Sequence, residues 1–99
     1  MAKELNEKVY ISGRITGVKN YSEPFNEAER KLTTMGFEVF NPCSMGEVDG
    51  WQWSDYMKKD LAALMSCNFI YPLKGWRQSR GARLEMKIAK KLNIPVLKI

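Results

Sequence analysis

Lys8-Val-Tyr-Ile-Ser12, followed at once by Gly13, decides how the rest of the chain is read. A short run rich in β-branched and aromatic residues that ends on glycine has the composition of a buried strand entering a loop. Outward from it, Ser22 to Met35 repeats apolar residues at Phe25, Ala28, Leu32 and Met35, with Ser22 as N-cap, Pro24 in the first turn and a stop at Gly36. Phe37-Glu-Val-Phe40 is a second strand that Asn41-Pro42 ends, because proline brings no N–H to a ladder and biases its predecessor away from helix. Helical periodicity returns from Trp51 or Ser54 to Met65 through Trp53, Met57, Leu61 and Leu64. Asn68-Phe-Ile-Tyr71 supplies a third strand closed by Pro72, a last helix covers Arg80 to Leu92, and Pro95-Val-Leu-Lys-Ile99 is a fourth strand.

The order βαβαβαβ with no hairpin signal demands parallel pairing through right-handed crossovers. The expected architecture is therefore α/β: a Rossmann-like or flavodoxin-like three-layer fold on a four-stranded parallel sheet. Residues 1 to 7 read as a polar tail and 8 to 99 as a single domain, since 99 residues bury one core but do not divide into two. Ligands of such sheets bind beyond the carboxyl ends of the strands, which places a site in the loops after Ser12, Phe40 and Tyr71.

Composition narrows the classes. The chain has no histidine and two cysteines, Cys43 and Cys67, with no CxxC spacing, so neither a zinc site nor a disulfide framework is expected, and no metal or cofactor is assigned. The polar N-terminus and the lack of any run near the roughly 20 apolar residues of a membrane span lead to the expectation of a cytoplasmic protein with reduced thiols. Sixteen Lys and Arg against eleven Asp and Glu leave a net charge of +5, which suits an anionic ligand. Many of the cations, Lys58, Lys59, Lys87, Lys90 and Lys91 among them, fall where a helix faces water.

Two acids break the apolar pattern. With about 100° between successive helical residues, Gly81, Ala82, Ile88, Ala89 and Leu92 fall within roughly 60° of Glu85, while Arg80, Arg83, Lys87, Lys90 and Lys91 gather opposite. Asp60 sits in the same way among Trp53, Tyr56, Met57 and Leu64. A buried unpaired carboxylate costs several kcal/mol, so each needs a partner, as in a salt bridge or cap, or a ligand cavity that reaches it. Two carboxylates in different environments are what glycosidic chemistry uses, one to attack or stabilise the sugar carbon and one to protonate the leaving group. The loop Ser12-Gly-Arg-Ile-Thr-Gly17 has glycines that let backbone N–H groups approach an anion, with Arg14 as a charged donor, although glycines after a strand also serve as plain turn formers. Lys74, Trp76, Arg77 and Ser79 form a second loop suited to a base and a phosphate; Trp51, Trp53 and Trp76 fit the core equally well.

Val9-Tyr-Ile-Ser-Gly13, Asp60-Leu-Ala-Ala-Leu64 and Gly81-Ala-Arg-Leu-Glu85 together resemble the nucleoside 2-deoxyribosyltransferase superfamily, in particular its branch of small members, across Lys8 to Ile99. The resemblance implies Glu85 as the nucleophile on the anomeric carbon, Tyr10 as the residue that orients or activates it, and Asp60 as a holder of sugar or base. Similarity to related nucleotide N-glycosidases implies Ser12, Gly13, Arg14 and Gly17 as a 5′-phosphate loop. Trp76, Ser79 and Gly81 are further residues expected in the substrate site. Asn68 stands where many relatives have aspartate, Ser79 where they have an acid, and the fifth strand of larger relatives has no counterpart, so the general acid stays unassigned.

The function expected on these grounds is cleavage or transfer at the N-glycosidic bond of a deoxynucleoside or its 5′-monophosphate. The alternative is a non-catalytic module that binds a nucleotide or nucleotide-derived signal on the same sheet edge. A small-molecule nucleoside or nucleotide is the expected partner, rather than a membrane or a nucleic acid. A homodimer or larger homo-oligomer is also expected, with Trp51, Trp53 and Met57 as its exposed apolar surface.

Overall fold

The computed structural model describes residues 7–99; the N-terminal tail expected over residues 1 to 7 lies, Glu7 apart, outside the described residues. Strand β1 (Lys8–Ser12) forms the centre of a three-stranded parallel sheet, with β2 (Glu38–Phe40) on one side and β3 (Phe69–Pro72) on the other. The register sets Val9 between Val39 and Phe69, and Tyr10 between Phe40 and Ile70. Because side chains alternate along a strand, Val9 and Ile11 face one side of the sheet while Tyr10 and Ser12 face the other.

Helix α1 (Ser22–Thr34) covers the first face, burying Phe25, Ala28 and Leu32 against Val9 and Ile11. Helices α2 (Trp53–Met65) and α3 (Arg80–Lys91) cover the second, where Tyr10, Leu64, Cys67, Ile70, Met86 and Ala89 form the core. The architecture is thus α/β in three layers, Rossmann-like in its crossovers. The switch point lies at β1, from which the chain leaves to β2 on one side and returns to β3 on the other, so the loops after β1 and β3 diverge and open a crevice.

The sheet corrects the sequence reading at its margin: among the described residues it has three strands, not four. Residues 95 to 97 lie alongside β3 but contribute a single parallel bridge, Ile70 to Val96, in which the Ile70 N–H donates to the Pro95 carbonyl at 2.9 Å and the Leu97 N–H to the Ile70 carbonyl at 2.9 Å. Proline at the head of the segment has no N–H with which to extend that pairing. Phe37 is likewise outside β2, because its N–H donates to the Leu32 carbonyl while the Gly36 N–H donates to Thr33. That pair closes α1 as a Schellman motif with Gly36 at φ 99°. Asn93, at φ 58°, ends α3 by the same pattern and leaves Leu92 exposed beyond the helix.

Caps differ from expectation at α1, whose first residue is Ser22 itself and whose preceding Tyr21 makes no side-chain cap bond. Helix α2 starts with a reciprocal capping box between Gln52 and Asp55, and α3 with the Ser79 hydroxyl accepting from the Ala82 N–H at 3.1 Å. Met57 is buried under α3 rather than exposed: a Cβ on Gly81 would lie 3.1 Å from its sulfur, so glycine is what lets the two helix starts approach.

Gly13 marks the point where β1 hands the chain to the crevice, and a Cβ there would meet Leu73 Cδ1 at 2.9 Å and Phe25 Cζ at 3.0 Å. Phe25 is almost fully buried and cannot yield freely. Gly13→Ala is expected to cost about 1 to 3 kcal/mol of unfolding free energy, as overpacking of a filled core does, with urea denaturation as the measurement. An unchanged denaturation midpoint would show that this corner is loosely packed.

Candidate active site

Tyr10 and Ser12, two residues apart on β1, both point at α3 and meet the same side chain. The Tyr10 hydroxyl donates to Glu85 Oε2 at 2.6 Å and the Ser12 hydroxyl donates to Glu85 Oε1 at 2.7 Å. Both donors are completely buried, and Glu85 is 5% exposed. These are short bonds of the charge-assisted kind, one to each carboxylate oxygen. Tyr10 is held in turn by stacking on Phe40, its neighbour in β2, with ring centroids 5.5 Å apart and planes 9° apart.

Glu85 forms part of the wall of an open cleft of about 1190 Å3 at the carboxyl edge of the sheet. The cleft is bounded by the loop after β1, the segment from Pro42 to Trp51, and the starts of α2 and α3. Of the residues singled out in the sequence, Gly13, Arg14, Gly17, Asp60, Ser79, Gly81 and Glu85 line it. Tyr10 and Ser12 lie behind Glu85, so the Ser12 hydroxyl is committed to the carboxylate and not offered to a ligand. Trp76 is not brought to the cleft: its ring packs on the core beneath α2 and α3, with the Arg77 guanidinium 4.7 Å above it.

Other residues take its place. Trp51 and Trp53 line the cleft; Trp53 carries the Arg80 guanidinium 3.7 Å from its ring centroid, and Trp51 meets Tyr56 edge-on at 5.0 Å. The Tyr56 hydroxyl accepts from the Val48 N–H at 2.8 Å and so ties the loop after β2 to α2. Arg14 reaches across to Gln78 Oε1 at 3.4 Å, joining the loops after β1 and β3. None of these pairings has a signature at the sequence level, because each joins residues of separate elements or loops.

Burial dominates the electrostatics. Desolvation raises the Glu85 carboxyl from an ordinary 4.5 to about 7, against the hydrogen bonds from Tyr10 and Ser12, which favour the anion, and with the Asp60 charge adding to the rise. Asp60, buried with no hydrogen bond to its carboxylate among the described residues, is raised from 3.8 to about 6 by desolvation, with Lys59 pulling the other way. Burial, then the charges of Glu85 and Asp60, push the Tyr10 phenol well above its usual value, so it remains a donor. Cys43, on the cleft wall, is raised to about 11 by burial first and Asp60 second, and stays a thiol rather than a nucleophile. Among the described residues no group of three or more potential ligands could hold a metal ion.

Residues 7–98 match the model of a family described as "Domain of unknown function (DUF4406)". The chain belongs to the DUF4406 family. No curated protein matches it. Among solved structures this DUF4406 chain is similar to a 2-deoxyribosyltransferase from the psychrotolerant bacterium Bacillus psychrosaccharolyticus, with a TM-score of 0.70 and 20% sequence identity over 90% of this chain and 69% of that one. At that identity the likeness establishes a shared fold. No helix of the described residues is long and apolar enough to cross a membrane.

A carboxyl raised by folding makes stability depend on pH in a defined sense. The native state favours protonated Glu85, so its contribution is fully present below about pH 4.5 and is lost as pH rises through about 7. At about 1.4 kcal/mol for each tenfold change in proton affinity, the fall is on the order of 3 kcal/mol. Asp60 adds a fall of the same sign between about pH 3.8 and about 6. Glu85→Gln should flatten most of the decline above pH 5 in unfolding free energies measured across this range, and coincident profiles for the two proteins would show that Glu85 is not raised.

Proposed function

We propose that this protein cleaves or transfers the N-glycosidic bond of a nucleoside or its 5′-monophosphate, with Glu85 as nucleophile. The observation that carries the reading is the Glu85 carboxylate on the wall of the cleft, gripped through both oxygens by buried hydroxyls, with the second carboxylate, Asp60, in the same cleft and without a protein donor among the described residues. Similarity of fold to a 2-deoxyribosyltransferase supports it as analogy.

In this reading a Glu85 oxygen attacks the anomeric carbon, the carbon–nitrogen bond breaks with its electron pair passing to the base, and the base takes up a proton. Water or the nitrogen of a second base then attacks the same carbon, restores the carboxylate and gives up a proton, with net retention of configuration. Tyr10 and Ser12 aim the carboxylate and hold part of its charge. Asp60, raised by burial like Glu85 and without a protein donor among the described residues, is assigned to donors on the sugar or the base. Arg14, exposed on the cleft wall in the loop after β1, is assigned to a 5′-phosphate.

Incubation with a panel of nucleosides and 5′-monophosphates, with and without an acceptor base, tests the reading by release or exchange of base. Glu85→Gln should remain folded and lose at least about 100-fold in turnover. The kcat/KM of the native protein should rise with pH through about 7 as Glu85 ionises. Normal turnover by Glu85→Gln would refute the mechanism, and binding of a nucleotide with no base release at any pH would identify a non-catalytic module.

A further inference from the structure

We propose that the outer face of α3, together with α2 beside it, is a docking surface for single-stranded nucleic acid. Taken one at a time along the sequence, the lysines of these helices suit solvated positions. The fold gathers them. Arg80, Arg83, Lys87, Lys90 and Lys91 are all exposed on α3, and at about 100° per residue they occupy one arc of roughly 100°. Lys58 and Lys59 are exposed on α2, which packs against α3 in the same layer.

The acids of these two helices do not neutralise them. The one acid of α3 is Glu85, buried on its opposite side; Asp60 of α2 is buried too, and Asp55 is engaged in the capping box with Gln52. Acids are concentrated elsewhere, with Glu23, Glu27 and Glu29 on α1 across the sheet and Glu47 and Asp49 in the loop after β2. A net charge of +5 spread evenly would mean little; divided between layers it gives one strongly basic face.

The geometry selects the occupant. From Arg80 to Lys90 the stripe runs about 15 Å at about 1.5 Å per residue, long enough to meet several consecutive phosphates of a strand. It begins at the cleft, where the Arg80 guanidinium lies on the ring of the partly exposed Trp53. A partly exposed aromatic ring beside a cation at the head of a basic stripe suits a strand whose end base stacks while its phosphates track the helix. An anionic membrane surface fits less well, since of the large exposed apolar residues of these helices Trp53 lies under the Arg80 guanidinium at the head of the stripe, Met65 and Leu92 lie at the far ends, and no continuous apolar face runs along it.

The inference goes beyond the glycosidic reading and is tested apart from it. Binding of a fluorescein-labelled single-stranded 12-mer of mixed sequence is followed by anisotropy across a salt series, for the native protein and for Lys87→Ala/Lys90→Ala/Lys91→Ala. None of the three lysines lines the cleft, so base release from mononucleotides should match the native protein whatever its level. The triple variant is expected to bind the strand at least about tenfold more weakly at low salt, with a slope of log K on log salt shallower by about 2, at about 0.7 for each phosphate that no longer meets a cation. Arg30→Ala/Lys31→Ala, on α1, should bind as the native protein does. The proposal is overturned if the native protein does not bind the strand at low salt, if the triple variant binds with unchanged affinity and slope, or if the α1 variant loses as much. Capture by phosphatidylserine vesicles without strand binding would overturn it in favour of a membrane surface.

Discussion

The grip of Tyr10 and Ser12 on Glu85 is the interaction around which the site is arranged. Removing a carboxylate from water costs several kcal/mol, and two charge-assisted hydrogen bonds return about 1.5 to 3 kcal/mol each. The balance is incomplete, which is why Glu85 remains raised to about 7 in spite of two donors. A carboxyl so poised changes charge near neutral pH, the condition in which a single group serves both as a protonated side chain that stabilises the fold and as an ionised group available for chemistry.

Several features of the fold serve that grip. Parallel pairing on both sides makes β1 the buried central strand and removes Tyr10 and Ser12 from solvent. Stacking on Phe40 holds the Tyr10 ring, and the Ser79 cap sets the first turn of α3, from which Glu85 follows on the buried stripe with Ala82, Met86 and Ala89. Gly13 turns the chain away from β1 without a side chain that would displace Phe25 or Leu73, and Gly81 lets α3 close on Met57 and Trp53. At the carboxyl edge of β1 the crevice opens, and among the described residues Asp60 and Glu85 are the two buried acids that border it.

The two helical layers carry different charge because different demands shape them. Helix α1 packs on Val9 and Ile11 and presents a mixed face of acids and bases to solvent. Helices α2 and α3 give their inner faces to the core and the cleft, acids included, and present outer faces that are basic with little to offset them. Segregation of charge therefore follows from which side of each helix the acids occupy, and the same 3.6-residue period that turns Glu85 inward turns Lys87, Lys90 and Lys91 outward.

Much of this is legible in the order of residues alone. Composition and period mark β1, the three helices and their parallel order, and the helical wheel sets Glu85 and Asp60 on inward stripes, because those properties depend on residues a few positions apart. Local pattern says less where a long-range partner decides. Tyr10 and Ser12 lie 75 and 73 residues from the carboxylate they hold, and no local pattern tells a hydroxyl committed to Glu85 from one free for a ligand. The choice of Trp53 over Trp76 as a cleft wall, and the reduction of the last strand to one bridge at Val96, have the same origin. Sequence by itself determined the inward stripes of β1 and of the helices, Glu85 and Asp60 included, since backbone geometry sets that locally; only the tertiary structure decided what stands opposite and where Leu92 leaves its helix, since that depends on how distant elements cross.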